Sequence, residues 1–251
     1  MKRYYIIFIL GGILLFVLLG KRTNNHTEDI VSTKSEDTLL TDIITESRTP
    51  PVNYLLDSLG LVNIQDMDST IGVQLKYATT DNFTGKILYK DFSQAYLQTD
   101  VAVMLSKAQQ YLQRNYPGLS LLVYDAARPL ATQKEMWDQV KDTRHHKYVA
   151  TPERTSLHNY GAAVDLTISD SLFIPIDMGT EFDFFGKAAS VANEPELLEQ
   201  GILTEQQVQN RKLLREVMYH AGFRSISGEW WHFNACSLTE ARQRYPLIEH
   251  F

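Results

Sequence analysis

The sequence holds a single cysteine, Cys236, in 251 residues, so no intramolecular disulfide can staple the fold and no cysteine-based zinc knuckle can form. It also lacks any dense stripe of Lys and Arg. The 24 basic residues stand against 30 acidic ones, a formal net charge of −6, which removes nucleic acid as a partner. There is no G-x-G-x-x-G turn, no internal repeat and no regular strand–helix alternation. What remains, 44% hydrophobic and 22% charged, is the composition of a globular chain long enough for one large domain or two small ones.

One long apolar run is present, at the start. Lys2 and Arg3 precede an uncharged stretch from Tyr4 to Gly20, and Lys21 and Arg22 follow it. The stretch is about as long as the shortest spanning helices, roughly 17 residues. No A-x-A site and no cysteine follow it, so residues 1–22 read as an uncleaved membrane anchor or, alternatively, a cleaved signal. Either places the rest of the chain outside the cytoplasm, in a bacterial cell envelope, anchored or secreted into a periplasmic or extracellular space. Residues 23–52 are rich in Thr, Ser, Asp, Glu and Asn and read as a polar tether ending near Pro50-Pro51. Residues 53–251 then form one domain.

Within that domain the local patterns alternate. "IGVQLKYA" (71–78) alternates apolar and polar positions, as a half-buried strand does. Apolar side chains at helical spacing predict a helix over 99–115, capped by Thr99 or Asp100 and stopped by Pro117-Gly118. "LSLLVYDA" (119–126) and residues 161–168 read as buried strands. Thr132 with Glu135, and Thr204 with Gln207, have capping-box spacing; the second opens a helix to about Ala221, with Gly222 at its C′ position. A short strand is expected near 223–227. The sum is an α+β fold: a mostly antiparallel or mixed sheet with flanking helices, and a metal site in a cleft on the sheet.

The chemistry concentrates in two stretches. "SLHNYGAAVDLTISD" puts His158 and Asp165 on either side of Gly161 and two alanines. "SGEWWHF" adds His232, with Glu229 three residues before it. A hydrolytic zinc site needs three protein ligands, an open position for water and a nearby carboxylate that accepts a proton without ligating. His158, Asp165, His232 and Glu229 supply those types. Each stretch also has a plainer reading, a turn before a core strand and a pair of core aromatics. His145-His146 lies in a charged stretch and reads as a solvated loop; His26, His220 and His250 have no supporting pattern.

The pattern S-x-H-x-x-G-x-A-x-D, carried by Ser156, His158, Gly161, Ala163 and Asp165, resembles the first zinc motif of the D-alanyl-D-alanine metallopeptidases, a group that includes dipeptidases, DD-carboxypeptidases and hedgehog-type domains. E-x-W-H, carried by Glu229, Trp231 and His232, resembles the second. "KYATTDNFTGK" (76–86), "YDAARP" (124–129) and "MGTEFDFF" (178–185) are similar to the D-Ala-D-Ala dipeptidase branch, and the resemblance spans about residues 62–235. It implies one Zn²⁺ per chain on His158, Asp165 and His232, with Glu229 as general base and then proton donor. It implies Arg128 as the oxyanion's hydrogen-bond donor, where the residues alone read Arg128 as the structural partner of Asp125 in a strand-end turn. Tyr77, Asp183 and Ser156 would line a dipeptide pocket, Asp183 facing the substrate's ammonium. The implied substrate is a small D-amino-acid dipeptide; salvage, wall turnover and glycopeptide resistance all use this chemistry, and a location outside the cytoplasm favours salvage or turnover. A DD-carboxypeptidase trimming peptidoglycan stems, or a non-catalytic zinc-binding module, are the alternatives. Oligomeric state is not readable.

Overall fold

In the computed structural model, residues 52–90 and 92–250 are described. The apolar run Tyr4–Gly20 and the tether as far as residue 51 lie outside them; among the described residues, no helix is long and apolar enough to cross a membrane. In chain order the elements are α1 (Val52–Ser58), β1 (Leu61–Asn63), α2 (Ile64–Met67), β2 (Gly72–Val73), β3 (Tyr96–Gln98), α3 (Thr99–Asn115), β4 (Ser120–Asp125), α4 (Leu130–Val140), β5 (Ala163–Ser169), α5 (Glu194–Glu199), α6 (Glu205–His220), β6 (Arg224–Ser225), β7 (His232–Asn234) and α7 (Leu238–Arg244). Five strands form one mixed sheet in the order β2-β4-β5-β7-β6, with β2–β4 parallel and the other pairs antiparallel. β1 and β3 pair separately as an antiparallel ribbon.

β5 is the centre of this sheet, and every one of its residues is buried. Val164, Leu166 and Ile168 alternate onto one face and join the core with Leu105 and Leu112 of α3 and Leu214, Val217 and Met218 of α6. The opposite face of β5 carries Asp165, Thr167 and Ser169, buried polar groups that need partners. The α+β expectation holds, with the sheet mixed.

Several local expectations are corrected by tertiary contacts. Residues 71–78 do not form one strand: β2 is only Gly72–Val73, and Lys76–Ala78 is a 3₁₀ turn. Tyr77 is nevertheless buried, because that turn is held under Tyr89, Phe83 and Phe182. α3 begins where expected, but neither Thr99 nor Asp100 caps it; Gln98 is the N-cap, without a side-chain bond. Thr99 donates to the Gly60 carbonyl at 3.3 Å instead, and Asp100 accepts from Tyr245 at 2.8 Å and from Arg244. α4 starts at Leu130, two positions before the expected cap at Thr132, which is buried inside the helix. Pro129 suits that start by its fixed φ. The freed N–H groups of Leu130 and Ala131 donate to the carbonyls of Ile248 and Glu249 in the C-terminal segment, so no capping side chain is needed. The Thr204–Gln207 capping box forms with both of its bonds, and Gly222 follows the helix at φ +94°.

Candidate metal centre

The centre is assembled by sheet register. Asp165 on β5 pairs with Asp125 on β4 on one side and with His232 on β7 on the other, so the three residues form a row across three strands. A register shift between Val123 and Asp125 sets that row, the kind of bulge that re-aims a side chain beside a site. His158 comes from the turn before β5. Ser156 caps the short 3₁₀ segment Leu157–Tyr160, accepting from the His158 N–H, while Asn159 reaches back to the Ser156 N–H. Gly161 ends the segment in the left-handed region at φ +62°. A Cβ there would lie 2.6 Å from Leu61 Cδ2 and 3.2 Å from the Gln98 backbone nitrogen, so glycine is required for both conformation and space.

These elements bring three donor atoms together. His158 Nε2 lies 3.2 Å from His232 Nδ1 and 3.4 Å from Asp165 Oδ1, and His232 Nδ1 lies 2.9 Å from Asp165 Oδ1. A tetrahedral ion with bonds of about 2.0–2.1 Å has ligand–ligand edges of about 3.3 Å, so the triangle fits zinc. The donor set of two imidazoles and one carboxylate suits zinc as well. The outer contacts agree. His158 Nδ1–H donates to the Ala126 carbonyl at 2.7 Å, which leaves Nε2 with its lone pair toward the other donors. His232 Nε2–H donates to Asn234 Oδ1 at 2.7 Å, which leaves Nδ1 for the same point. Burial pushes the Asp165 carboxyl up, but His158 and His232 outweigh it and hold the group well below the usual carboxylate range. It is therefore anionic, as a ligand must be.

Arg128 sits beside this triangle. Its Nε and Nη2 donate to Asp125 Oδ2 at 2.8 and 2.6 Å, and Nη1 donates to Gln133 Oε1 at 3.0 Å. Asp125 also accepts from Tyr89 O–H at 2.7 Å. Burial works against the charge of Arg128, and Asp125 and its neighbours more than restore it. The Asp125 pairing and a place in the cleft are thus compatible. Each Nη atom keeps a second N–H beyond these bonds, apart from a long 3.5 Å contact to Asp165, and Arg128 lines the cleft. Its backbone is tied to the histidine turn: Arg128 N–H donates to the His158 carbonyl, and Asn159 Nδ2 donates to the Arg128 carbonyl at 2.9 Å.

A cleft of about 410 Å³ opens over the triangle, and Glu229, Tyr77, Ser156 and Asp183 line it. Glu229 lies in the bend before β7, not on a helix, so the chain turns between it and His232. Burial pushes its pKa up to about 7. Asp183 stands at φ +61°, and Tyr77 O–H lies 3.1 Å from each of its carboxylate oxygens. Burial, then the charge of Asp165, pushes the Asp183 pKa up to about 8. At the rim, Phe185 packs on Phe83 and Tyr148, with ring centroids 5.0 Å apart in both pairs. The His145-His146 stretch is mostly exposed, although His145 also touches Phe185.

The sequence singled out the three donors, Glu229, and Arg128 with its partner Asp125, and missed the other supports. Asn234 had a signal: two residues after His232 in a strand, it shares a face with it. Tyr89, Gln133 and the Ala126 carbonyl had none, because their roles depend on contacts distant in sequence.

Comparison with known proteins agrees with this architecture. The family model described as D-ala-D-ala dipeptidase, Peptidase_M15, matches residues 57–249. A D-alanyl-D-alanine dipeptidase of Escherichia coli is 34% identical over 192 residues, covering 76% of this chain and 91% of that protein. Namesakes from Synechocystis and Enterococcus faecium are 34% and 28% identical, covering 58% and 70% of this chain and 71% and 91% of their own. With its sheet, its donor triangle and these matches, the chain belongs to the M15 family of D-Ala-D-Ala dipeptidases.

Proposed function

We propose that the protein is a zinc-dependent dipeptidase that hydrolyses D-alanyl-D-alanine to two molecules of D-alanine. The observation that carries this reading is the triangle of His158, Asp165 and His232 at zinc-ligand spacing in the cleft that Glu229 and Arg128 also line. When bound there, zinc supplies Lewis acidity toward a carbonyl oxygen and makes a water acidic near neutral pH. The side chains of this protein do the rest. Glu229 takes the proton of the attacking water and hands it to the leaving amine; a carboxyl raised to about 7 is poised for both directions of transfer. Arg128, fixed by Asp125 and Gln133, offers its remaining N–H groups to the oxygen on which negative charge develops. Asp183 faces the substrate ammonium, whose charge returns the raised carboxyl to its ionised form, with Tyr77 O–H donating to it, and Ser156 hydrogen-bonds the peptide or carboxylate end.

The segment 76–86 supports the dipeptide over a longer stem peptide. Tyr77 and Phe83 from it line the cleft, and Phe83 meets Phe185 at the rim. The test is hydrolysis of free D-Ala-D-Ala beside a pentapeptide stem, with and without zinc chelation. Chelation-sensitive cleavage of the free dipeptide is expected. Preferential release of D-Ala from the stem points to a DD-carboxypeptidase, and zinc binding without turnover on either points to a binding module.

The same reading sets residues 53–251 as one peptidase domain, which the match over 57–249 supports, on a tether from an N-terminal anchor or signal. The uncharged run Tyr4–Gly20 supports a catalytic domain outside the cytoplasm, where its substrate comes from peptidoglycan turnover or salvage. Membrane fractionation of the full chain, with protease access to the domain in intact cells, checks it.

A further inference from the structure

The loop that carries Asp183 runs between Met178 and Ala188 without strand or helix until its last residues, and it contains two left-handed positions, Gly179 and Asp183. Such a segment does not hold a side chain in place by its own hydrogen bonds. α6 lies against it. From one face of that helix, Gln207 Nε2 donates to Asp177 Oδ2 at 2.8 Å and Asn210 Nδ2 donates to the Asp177 carbonyl at 2.7 Å. Both of those contacts fall on Asp177, just before the loop. Arg211 reaches both ends: Nε donates to the Met178 carbonyl at 2.7 Å and Nη2 donates to the Ala188 carbonyl at 2.9 Å.

Arg211 is completely buried, and its guanidinium lies 5.9 Å from the centre of the Trp230 ring. Its Nη1 has no hydrogen-bond partner; Glu194, at 3.9 Å, is already engaged by both Nη atoms of Arg215 at 2.8 and 2.7 Å. Burial pulls the Arg211 pKa down to about 10, so the cation persists at neutral pH. A buried, incompletely satisfied cation is a poor device for stability, since an apolar side chain of similar volume fills such a space at lower desolvation cost. What the guanidinium alone supplies is a rigid fork able to bind two carbonyls at once. We infer that Arg211 is a positioning residue: by pinning both ends of the 178–188 loop it holds the Asp183 carboxylate where the substrate ammonium docks.

The inference rests on the reading of Asp183 as the ammonium partner. Its test is steady-state hydrolysis of D-Ala-D-Ala by the zinc-loaded full chain carrying Arg211→Met, Arg211→Lys or Asp183→Asn, with zinc content measured alongside. For Arg211→Met the expected result is a KM raised between about tenfold and about hundredfold, the share of a charged hydrogen bond, with zinc content unchanged. Arg211→Lys, which keeps the charge but reaches fewer acceptors, recovers part of that loss. A merely structural arginine lowers the fraction of active enzyme, hence kcat, and leaves KM alone. An unchanged KM in Arg211→Met overturns the inference; if that variant does not fold, an unchanged KM in Arg211→Lys does so. Asp183→Asn separates the two levels. If it keeps the wild-type KM, the ammonium reading itself fails; if it raises KM while the Arg211 variants do not, only the positioning role fails.

Discussion

The two halves of the cleft are built on different principles. The metal half stands on regular structure: Asp165 and His232 face each other in strand register, and His158 sits in a capped turn leading into β5. Each histidine has its second nitrogen engaged within 2.7 Å of an oxygen. The substrate half stands on the irregular 178–188 loop, whose Asp183 is strained in φ and whose ends are tied to α6 by side chains. The first half is rigid because backbone ladders fix it. The second is rigid only as far as its tethers hold. On the proposed reading, strand register and a capped turn place the metal donors and Ser156, and a tethered loop places Asp183.

The contrast is most severely tested at Glu229. Glu229→Gln is expected to lower kcat by about 10²–10⁴ while the protein retains its zinc, because the side chain moves protons and does not ligate. Near-normal turnover on D-Ala-D-Ala in that variant sinks the assignment. Asn234→Leu tests the outer support of the metal half. It frees His232 Nε2 and leaves its tautomer unset, and zinc affinity should fall about 10–100-fold in a competition titration. An unchanged affinity means that the register alone holds His232.

Gly161→Ala sharpens the comparison from the side of stability. The left-handed conformation costs an added Cβ about 1–2 kcal/mol, and the contact at 2.6 Å with Leu61 adds to it. Chemical denaturation should show at least that loss, with the damage centred on the metal half. A pH slope in the chelated protein tests the substrate half. Asp183 and Glu229 have folded pKa values raised to about 8 and about 7, against about 4 for unfolded carboxyls. The unfolded state therefore releases these protons first, and stability, fully present below about pH 4, is lost as pH rises toward 8. Asp165, held low, acts in the opposite direction below that window. Asp183→Asn should flatten the upper part of the slope in urea unfolding followed from pH 5 to 8.

Much of the metal half was legible in sequence because the motifs that resemble the D-Ala-D-Ala metallopeptidases are short and local, although spacing alone left a turn before a core strand as an equal reading. The strands at 120–125 and 163–169 and the helix at 205–220 followed from patterns a few residues long. The failures have one cause. Thr132 has the spacing of a cap, but the C-terminal segment satisfies the N–H groups of α4 and removes the need for one. Residues 71–78 alternate like a strand, yet aromatic contacts from Phe83, Tyr89 and Phe182 wind Lys76–Ala78 into a turn. Arg211 carried no signal at all, since a basic residue on an amphipathic helix reads as exposed.

Sequence alone therefore determined the reactive groups: two histidines and an aspartate of ligand type, a glutamate close to one ligand, an arginine close to a strand end, and a glycine between the first histidine and the aspartate. Their identities and local spacing are one-dimensional facts. The tertiary structure decided which nitrogen of each histidine faces the metal, that Arg128 answers to Asp125 and still reaches the cleft, and that a buried guanidinium on α6 holds the Asp183 loop. Those outcomes depend on strand register and on hydrogen bonds between segments far apart in the chain. Such contacts exist only once the hydrophobic core has brought the segments together, because only then does excluding water make an unpaired polar group costly enough to fix its partner.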